Sequence, residues 1–464
     1  MEYFISGFLS PAVLILLAVT GVAVIAVAKP HTALLTFLRN KNRSREGASS
    51  LSAMLTALAG TLGVGNISGV ALAIASGGCG AVFWMITSSA FAMAVKYAEI
   101  VLASNYRTLK RDGFHGGAPL YIGEAFKGRM GKILSAAFCV LCIAGALTVG
   151  CAIQSGATAE TAEAAFGIPP FLCGILLAVI CLASIIGGTK RITGITDKLV
   201  PLMSCTYLVL SLVIIIKEAS CIPAIFSLIF RSAFGIRPAL AGTAGYGIAS
   251  AIRYGVSRGL ISNEAGCGTA PFAHSRADRN PAEQGLFGIA EVFIDTVVLC
   301  TATAVSIIAA YGGDVPDGIG GMILVCNAYE KYFGSLAPAV LSIATAMFAY
   351  GSMICWYFYG TECILLSGGS KAAKFLFTAA FAIFAVIGAT EKSGAVWLAS
   401  DICFDLMLCI NTAAVLKLIG TVRSVTNGYA RSPSRSAEER IRNASDNLSR
   451  GKAIAIPHSE TEAP

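Results

Sequence analysis

An apolar segment that is interrupted in its middle constrains the fold of this chain more than any other feature. Residues 51–76 form a long apolar run, but its centre, AGTLGVGNISGV (59–70), contains four glycines together with Asn66. Glycine tolerates backbone conformations that break a helix, and a helix in a bilayer must otherwise satisfy its backbone polar groups internally. Unpaired backbone groups occur at membrane depth only where they line a cavity within the protein. The run therefore predicts a discontinuous transmembrane helix whose break binds a small polar ligand and a cation.

Close packing of small residues is the alternative explanation of this glycine pattern. Gly65 and Gly69 have the G-x-x-x-G spacing that lets two membrane helices approach each other. Packing alone does not require Asn66 or a further glycine two residues before Gly65. The break is therefore interpreted as functional, and a packing role can hold at the same time.

Composition places the chain among polytopic membrane proteins. Of its 464 residues, 56% are hydrophobic and 13% are charged. The mean hydropathy of +0.74 is far too high for a soluble multidomain protein. The 49 glycines are typical of closely packed transmembrane helices and not of a β-barrel. Most of the 15 cysteines lie in apolar segments, and the Cys139-x-x-Cys142 pair has no nearby histidine, so we expect packing residues rather than a metal site.

The distribution of positive charge predicts the topology. We count eleven apolar spans, and the Lys and Arg residues concentrate in alternate loops on one side of them. The positive-inside rule explains the net charge of +8 in this way, so the charge does not indicate a nucleic-acid partner. The rule predicts a multi-pass protein of the cell membrane with its N-terminus outside and its C-terminus in the cytoplasm.

A second interrupted segment repeats the first. The sequence RGLISNEAGCGTAP (258–271) contains Asn263 and Gly266, which repeat the N-x-x-G spacing of Asn66 and Gly69. Five spans separate the two segments. Because that number is odd, the second copy is inverted in the membrane relative to the first, which is the arrangement of inverted-repeat secondary transporters.

Several motifs together resemble the alanine or glycine:cation symporter family. They are GTLGVGNISGVALAIA (60–75), KYAEIVLASNYR (96–107), RYGVSRGLISNEAGCGTAPFAH (253–274) and EVFIDTVVLCTATA (291–304). The resemblance implies an all-α, LeuT-type fold, in which one extra helix precedes a five-plus-five inverted repeat with discontinuous helices. It also implies symport of sodium and a small neutral amino acid, alanine or glycine, by alternating access, without enzymatic activity or a further cofactor. A proton-coupled amino-acid transporter of the same fold is the alternative, followed by an ion channel.

The resemblance, the charge distribution and the composition together divide the chain into six parts, and we expect it to act as a monomer in the lipid bilayer. The parts are an N-terminal extra transmembrane helix (1–30), a basic cytoplasmic loop (31–50), a first inverted repeat (51–218), an external amphipathic segment (219–244), a second inverted repeat (245–420) and a disordered cytoplasmic tail (421–464).

The substrate site is predicted from the chemistry of an amino-acid zwitterion. Its carboxylate needs N–H donors, which the amides of Val64 and Gly65 supply at a half-helix N-terminus. Its ammonium group needs carbonyl oxygens, which we expect near Thr61 and Ser262. Gln154 matches a glutamine of the family's substrate site, although a Gln within a span also serves as an interhelical hydrogen bond. The full set of predicted substrate-binding residues is Thr61, Val64, Gly65, Asn66, Gln154, Ile261, Ser262, Asn263, Gly266 and Trp356.

The cation site follows from the resemblance, which implies that the carbonyls of Ala59 and Leu62 and hydroxyls of the ninth span coordinate sodium. In that span Gly351 and Ser352 stand where the family has two threonines, so one hydroxyl is missing. Hard cations such as sodium prefer oxygen ligands. The loss therefore leaves open whether sodium or protons drive transport. Ile261 also replaces a usual aromatic residue before SNEAG, which changes the shape of the side-chain pocket.

Charged residues within the apolar spans need partners of their own. Lys96 and Glu99 are three residues apart on one helical face, which predicts a structural ion pair. Glu291 and Asp295 share another face and require a cationic partner, for which Arg258 is the candidate. A structural network or gate explains these groups better than a proton relay does.

Functions of other classes are less consistent with the sequence. An ion channel would not need a pocket shaped by Gln154, Ile261 and Trp356. An intramembrane enzyme with Asp401 and Asp405 as a metal pair would need further carboxylate or histidine ligands, but the four histidines are scattered along the chain.

Overall fold

The chain forms helices almost throughout. The computed structural model describes residues 10–39, 47–110, 113–235, 244–316, 321–391 and 394–431. Within these ranges the only strands are a short antiparallel pair, Thr108–Lys110 and Gly113–His115. The predicted all-α architecture is therefore confirmed.

Twenty α-helices follow one another in the described part of the chain, and π-helical or 3-10 segments connect some of them. The α-helices are α1 (Ser10–Val27), α2 (Pro30–Arg39), α3 (Gly47–Thr61), α4 (Ser68–Gly77), α5 (Gly80–Asn105), α6 (Ala118–Phe126), α7 (Gly128–Leu147), α8 (Ile153–Phe166), α9 (Pro170–Ile185), α10 (Gly188–Lys217), α11 (Ile222–Ala233), α12 (Ala244–Asn263), α13 (Ala270–His274), α14 (Pro281–Val292), α15 (Thr301–Ala310), α16 (Gly321–Phe333), α17 (Ala337–Leu366), α18 (Lys371–Thr390), α19 (Ala395–Lys417) and α20 (Ile419–Arg431). The 3-10 segments are Val64–Asn66, Ala219–Cys221 and Gly334–Leu336.

Two π-helical segments lie inside longer helices. Thr148–Ala152 joins α7 to α8, and Phe293–Cys300 joins α14 to α15. A π-helix bonds each amide to the carbonyl five residues earlier, which widens the helix by one residue per turn. Such segments are rare and often lie at functional sites, and both of these lie beside the breaks described below.

The described residues contain seven helical segments that are long and apolar enough to cross a membrane, or eight if the pair α1 and α2 is one span bent by 53°. The predicted count of eleven is not confirmed. Part of the reason lies in the first break, because its halves Ser50–Thr61 and Ser68–Gly77 are each too short to count alone. The unbroken helix Pro170–Ile185 is also too short. A helix of about 20 residues is needed to span the hydrocarbon core.

The predicted loop and tail both contain helix. The segment 31–50, predicted as a basic cytoplasmic loop between spans, includes most of α2 and the start of α3, and residues 40–46 lie outside the described residues. The predicted disorder of 421–464 is wrong as far as Arg431, the end of α20. Residues 432–464 lie outside the described residues.

An apolar stripe explains why the first part of the tail is helical. Val422, Thr426 and Tyr429 recur at helical spacing and are buried, and the Thr426 hydroxyl lies 2.8 Å from the hydroxyl of Tyr97 on α5. Because the tail as a whole is polar, its composition did not predict that these three positions are buried in a helix.

The external segment predicted at 219–244 includes the amphipathic helix α11. Its Ile225 and Ile229 are buried, whereas Phe226 and Phe230 are exposed. Residues 236–243 of that segment lie outside the described residues.

Both breaks in the helices are present, which confirms the prediction of discontinuous helices. The first separates α3 from α4 by a single 3-10 turn. The second separates α12 from α13 by irregular backbone in which Glu264, Gly266 and Gly268 have φ of 53°, 87° and 74°. A non-glycine residue in this left-handed region is strained, and such strain often lies at functional sites.

The polarity of the interior is that of a membrane protein. Large apolar side chains such as Ile15, Val140 and Phe375 are exposed on the outside of the helices. Polar and charged side chains such as Lys96 and Glu291 are completely buried. A bilayer solvates the first group, while the second must find partners within the protein.

Candidate functional site

A cavity of about 40 Å³ lies between the two breaks. Residues from the first break, from α8, from the end of α12 and from α19 line it. Six of the predicted substrate-binding residues contribute to this lining, namely Thr61, Val64, Gly65, Gln154, Ile261 and Ser262. The other four, Asn66, Asn263, Gly266 and Trp356, are not among the lining residues and lie behind this wall.

The first break releases backbone carbonyls from helical pairing. In a continuous helix the Gly63 amide would donate to Ala59 and the Asn66 amide to Leu62. Instead Gly63 donates to the carbonyl of Thr61 (2.9 Å), and Asn66 donates to the carbonyl of Gly63 (3.3 Å). The carbonyls of Ala59 and Leu62, which were predicted to coordinate a cation, have therefore lost their helical donors.

The side chain of Gln154 replaces the helical carbonyl as the acceptor of the next amide in the break, that of Val64. The Val64 amide donates to Gln154 Oε1 (3.0 Å), and Gln154 Nε2 donates to the carbonyl of Val149 in the π-helical segment (3.2 Å). The Val64 amide is therefore bonded to Gln154 in this structure, rather than open to a ligand. This leaves the Gly60 carbonyl, the helical partner of Val64, to accept a bond from the Ser352 hydroxyl (3.1 Å).

The two residues of the predicted cation site on α17 face different surroundings. Ser352 reaches the first break through its bond to Gly60. A Cβ at Gly351 would instead contact Leu199 Cδ2 at 3.4 Å and Met203 at 3.6 Å, both on α10. Ser352 therefore places its hydroxyl oxygen at the first break. A side chain at position 351 would instead point toward the apolar residues of α10.

Asn263 and Gly266 hold the second break together. Asn263 Nδ2 donates to Thr296 Oγ1 (3.1 Å), and its Oδ1 accepts the amide of Ala265 (3.0 Å). The Gly266 carbonyl accepts a bond from Asn411 Nδ2 on α19 (2.8 Å). A Cβ at Gly266 would lie 2.8 Å from Leu17, so both its φ and its surroundings require glycine.

Asp295 joins the two breaks. Asn66 Nδ2 of the first break donates to Asp295 Oδ1 (2.6 Å), and Ser262 of the second donates to Oδ1 and Oδ2 (3.0 and 3.1 Å). Thr296 donates to Oδ2 (2.7 Å). Arg258 was predicted as the cationic partner of Glu291 and Asp295, and this pairing is wrong, because Lys96 pairs with Glu291 and no ion pair among the described residues includes Arg258.

The ion pair predicted within α5 is also wrong. Lys96 Nζ lies 3.2 Å from Glu291 Oε1. The other carboxylate oxygen of Glu291, Oε2, lies 3.1 Å from His274 Nε2. Glu99 instead accepts the Gly268 amide (3.0 Å) and a short hydrogen bond from Asn411. Glu99 therefore bonds to the irregular backbone of the second break, and Lys96 pairs with Glu291 instead.

Glu264 also lines the cavity, although the SNEAG motif that contains it did not predict it as a binding residue. Its Oε1 accepts the indole N–H of Trp356 (2.8 Å), and its Oε2 accepts the Thr269 hydroxyl (2.6 Å). Trp356 does not line the cavity, because it packs on Gly150, where a Cβ would lie 2.2 Å from Trp356 Cβ. Trp356 therefore acts on the cavity through Glu264.

Arg258, Ser400 and Asp401 also line the cavity and were not predicted as binding residues. Arg258 Nε and Ser400 Oγ are buried and have no hydrogen-bond partner among the residues that the structure describes. Arg258 lies four residues before Ser262 and therefore shares its helical face. This spacing could have predicted that Arg258 also faces the cavity. Asp405, the other half of the metal pair considered above, is not among the lining residues.

A larger cavity of about 510 Å³ adjoins the first one and shares Gly69, Ile153 and Trp397 with it. Glu160 and Glu163 of α8 line it. The shared residues form the boundary between a small site and an acidic vestibule.

Comparison with known proteins gives this geometry a context. The sequence profile of the sodium:alanine symporter family matches residues 4–443. The chain is 36% identical over 410 residues to the sodium/alanine symporter AgcS of Methanococcus maripaludis, covering 86% of this chain and 88% of the relative. It is 33% identical over 392 residues to the amino-acid carrier protein AlsT of Bacillus subtilis, covering 84% and 82%. The crystal structure of a mutant Eremococcus coleocola manganese transporter shares its fold with a TM-score of 0.53 and 14% identity, covering 82% of this chain and 79% of that one.

Proposed function

Because the chain belongs to the sodium:alanine symporter family, we propose that it carries alanine or glycine across the cell membrane together with sodium. The similar symporter of Methanococcus maripaludis is named for sodium and alanine. The observation that carries the proposal is the cavity lined by both breaks. Its volume is small, about 40 Å³, which favours a substrate with a very small side chain.

Groups of opposite polarity line the cavity and suit a zwitterion. Glu264 supplies a carboxylate to which an ammonium group can bind, and the amides at Val64 and Gly65 offer donors to a carboxylate. Gln154 holds the Val64 amide at 3.0 Å in this structure. We propose that the substrate carboxylate replaces Gln154 Oε1 at this amide, because both are oxygen acceptors of similar reach. Asn66, Asn263, Gly266 and Trp356 position the residues that line the cavity.

The coupling ion is proposed to bind where the first break meets α17. The carbonyls of Ala59 and Leu62 have lost their helical donors, and the Ser352 hydroxyl already reaches the adjacent Gly60 carbonyl. These are the neutral oxygen ligands that sodium prefers. Gly351 contributes no ligand, so Ser352 is the only side chain of the family pattern at this point.

Alternating access would then proceed by movement of the broken helices about the cavity. We propose that the protein works as a monomer in the plasma membrane with its N-terminus outside and its C-terminus in the cytoplasm, as the positive-inside rule predicts. Buried Asp295 and Glu291 keep proton coupling as the second candidate.

Uptake by purified protein in liposomes tests the proposal. Radiolabelled alanine is expected to accumulate when sodium is high outside and low inside, and not when choline or potassium replaces sodium. Liposomes without protein give the background. Accumulation that ignores sodium and follows an imposed pH gradient would contradict sodium coupling and support protons instead.

A further inference from the structure

A further cavity, here called the Arg276 cavity, has a volume of about 130 Å³ and lies between α3, α10, α17 and the end of α13. The hydroxyl-bearing residues Ser52, Thr56 and Thr193 line it together with Arg276. Arg276 Nη2 lies 3.3 Å from Nδ1 of His115 in the β-hairpin, so the cavity is on the side of the protein that carries the hairpin. The proposed topology puts this side in the cytoplasm.

Arg276 is fixed in position but keeps an unused hydrogen-bond donor. Its Nη2 donates to Glu362 Oε1 (2.6 Å), and its guanidinium carbon lies 5.3 Å from the centre of the Phe358 ring. The Nε of the same side chain is buried and has no hydrogen-bond partner among the described residues. A buried donor on a charged group is costly to leave unpaired, so this atom favours an anionic ligand.

Asp197 supplies the opposite charge beside the cavity. Its Oδ2 accepts the Ser52 hydroxyl (3.0 Å), whereas its Oδ1 is buried without a hydrogen-bond partner in the part of the chain that the structure describes. Asp197 follows Thr193 by one helical turn, and both Ser52 and Thr193 line the cavity. The positive group and the negative group at this cavity therefore each have an atom that a ligand can satisfy.

One face of α3 connects the Arg276 cavity with the cavity between the breaks. Ser52, Thr56 and Gly60 follow one another at intervals of four residues and therefore share a helical face. Ser52 and Thr56 line the Arg276 cavity, and Gly60 lines the cavity between the breaks. The Cys355 thiol of α17 donates to the Thr56 carbonyl (2.9 Å), so α17 is bonded to α3 along this face. A substrate that leaves the cavity between the breaks along α3 would reach the Arg276 cavity next.

We propose that the Arg276 cavity is a second binding site for the transported amino acid, on its route to the cytoplasm. The substrate carboxylate binds Arg276 Nε, its ammonium group binds Asp197 Oδ1, and the hydroxyls of Thr56 and Thr193 provide further polar contacts. A zwitterion satisfies both unpaired atoms at once, whereas a simple anion or cation satisfies only one. The proposal rests on the proposed function, which supplies the identity of the ligand.

An amino acid in this site would oppose opening of the protein towards the cytoplasm. The helices α3 and α13 are halves of the broken helices, whereas α10 and α17 are continuous helices of 30 residues each. A ligand between Arg276, which follows α13, and Asp197 of α10 joins these two groups of helices. Amino acid that accumulates in the cytoplasm would therefore slow further uptake.

Equilibrium dialysis of radiolabelled alanine against the purified full-length protein in saturating sodium tests the site. Wild type is expected to bind two alanine molecules per protein. Arg276→Gln and Asp197→Asn should each keep one alanine at unchanged affinity and raise the Kd of the other at least about tenfold, because each removes one charge-assisted contact. Lys198→Gln removes a charge at an exposed neighbouring position and should still bind two.

The retained alanine shows that each variant is folded. Gln154→Glu provides the converse case, because it should weaken the alanine between the breaks and spare the one at Arg276. Wild type that binds one alanine, or charge variants that bind two with unchanged affinity, would overturn the second site and leave the proposed function intact. So would loss of both alanines from Asp197→Asn, which keeps the shape of the side chain.

Propionate separates a zwitterion site from a simple anion site, because it lacks the ammonium group. It should displace labelled alanine from the Arg276 cavity far more weakly than unlabelled alanine does. Propionate that competes there as well as alanine would overturn the zwitterion site. Wild type that binds no alanine at all would refute the proposed function itself.

Discussion

Ser352→Ala is the substitution that most directly probes the proposed coupling site. The Ser352 hydroxyl is completely buried and donates to the Gly60 carbonyl at 3.1 Å, beside the carbonyls of Ala59 and Leu62 that have no helical donor. Alanine removes this one oxygen and adds no bulk. Loss of one neutral ligand or hydrogen bond is worth about 1 kcal/mol, which corresponds to about a fivefold increase in the sodium concentration for half-maximal uptake.

The assay is a sodium titration of alanine uptake into liposomes at constant ionic strength, with choline as the replacement ion. Ser352→Thr keeps the hydroxyl and should stay close to wild type. Gly351→Ala is the matched control, because its Cβ would meet only ordinary contacts with Leu199 and Met203 and should leave the sodium response unchanged. An unaltered titration for a well-folded Ser352→Ala protein would refute the placement of the ion, and a larger effect of Gly351→Ala would reverse the assignment of the two positions.

Three further predictions concern the cavity and the residues behind its wall. Trp356→Phe leaves Glu264 Oε1 without its indole donor and should destabilise the protein by about 1.5–3 kcal/mol, seen as a lower unfolding temperature in detergent; an unchanged temperature would show that the bond contributes little. Gln154→Glu places a negative charge where the substrate carboxylate is proposed to bind and should raise the KM for alanine roughly tenfold, or ~1.4 kcal/mol; an equal or lower KM would remove Gln154 from the site. Asn66→Ala and Asn263→Ala should each abolish uptake while monodisperse protein is still obtained by size-exclusion chromatography, and normal uptake by both would contradict the inverted-repeat site.

Local sequence was sufficient to predict where the helices break. Glycines at membrane depth together with Asn66 and Asn263 mark both positions, and the structure interrupts its helices at both. This information is local because helix continuity depends on the residues of one segment. Six of the ten predicted substrate-binding residues line the cavity for the same reason, since most of them belong to the breaks themselves.

Partners on other helices could not be predicted in this way. Lys96 and Glu99 share a helical face, but the i,i+3 spacing contributes only a few tenths of a kcal/mol. A buried amide or carboxylate on a neighbouring helix outweighs it, since an unsatisfied buried charge costs several kcal/mol. Lys96 therefore pairs with Glu291, and Glu99 turns to the backbone of Gly268. The sequence does not state which helices are neighbours.

The same limit explains the missed cavity residues. Arg258 and Ser400 come from different helices, α12 and α19, and they meet only in the folded protein. Serine is common in membrane helices, where it usually bonds to the carbonyl of the preceding turn. That the Ser400 hydroxyl has no hydrogen-bond partner within the described part of the chain is a property of the packed structure.

The π-helical segments have a consequence for how relatives of this protein should be compared. Each residue turns an α-helix by about 100°, so removal of one residue from Phe293–Cys300 would restore ordinary helix and rotate one flank against the other by about that angle. Asp295 would then leave Asn66 or the rest of α15 would leave its neighbours. Hydropathy would hardly change, and the number of spans would stay the same. A single-residue gap at this point of an alignment is thus equivalent to a rearranged contact between the first break and Asp295, and it separates relatives more sharply than many substitutions elsewhere.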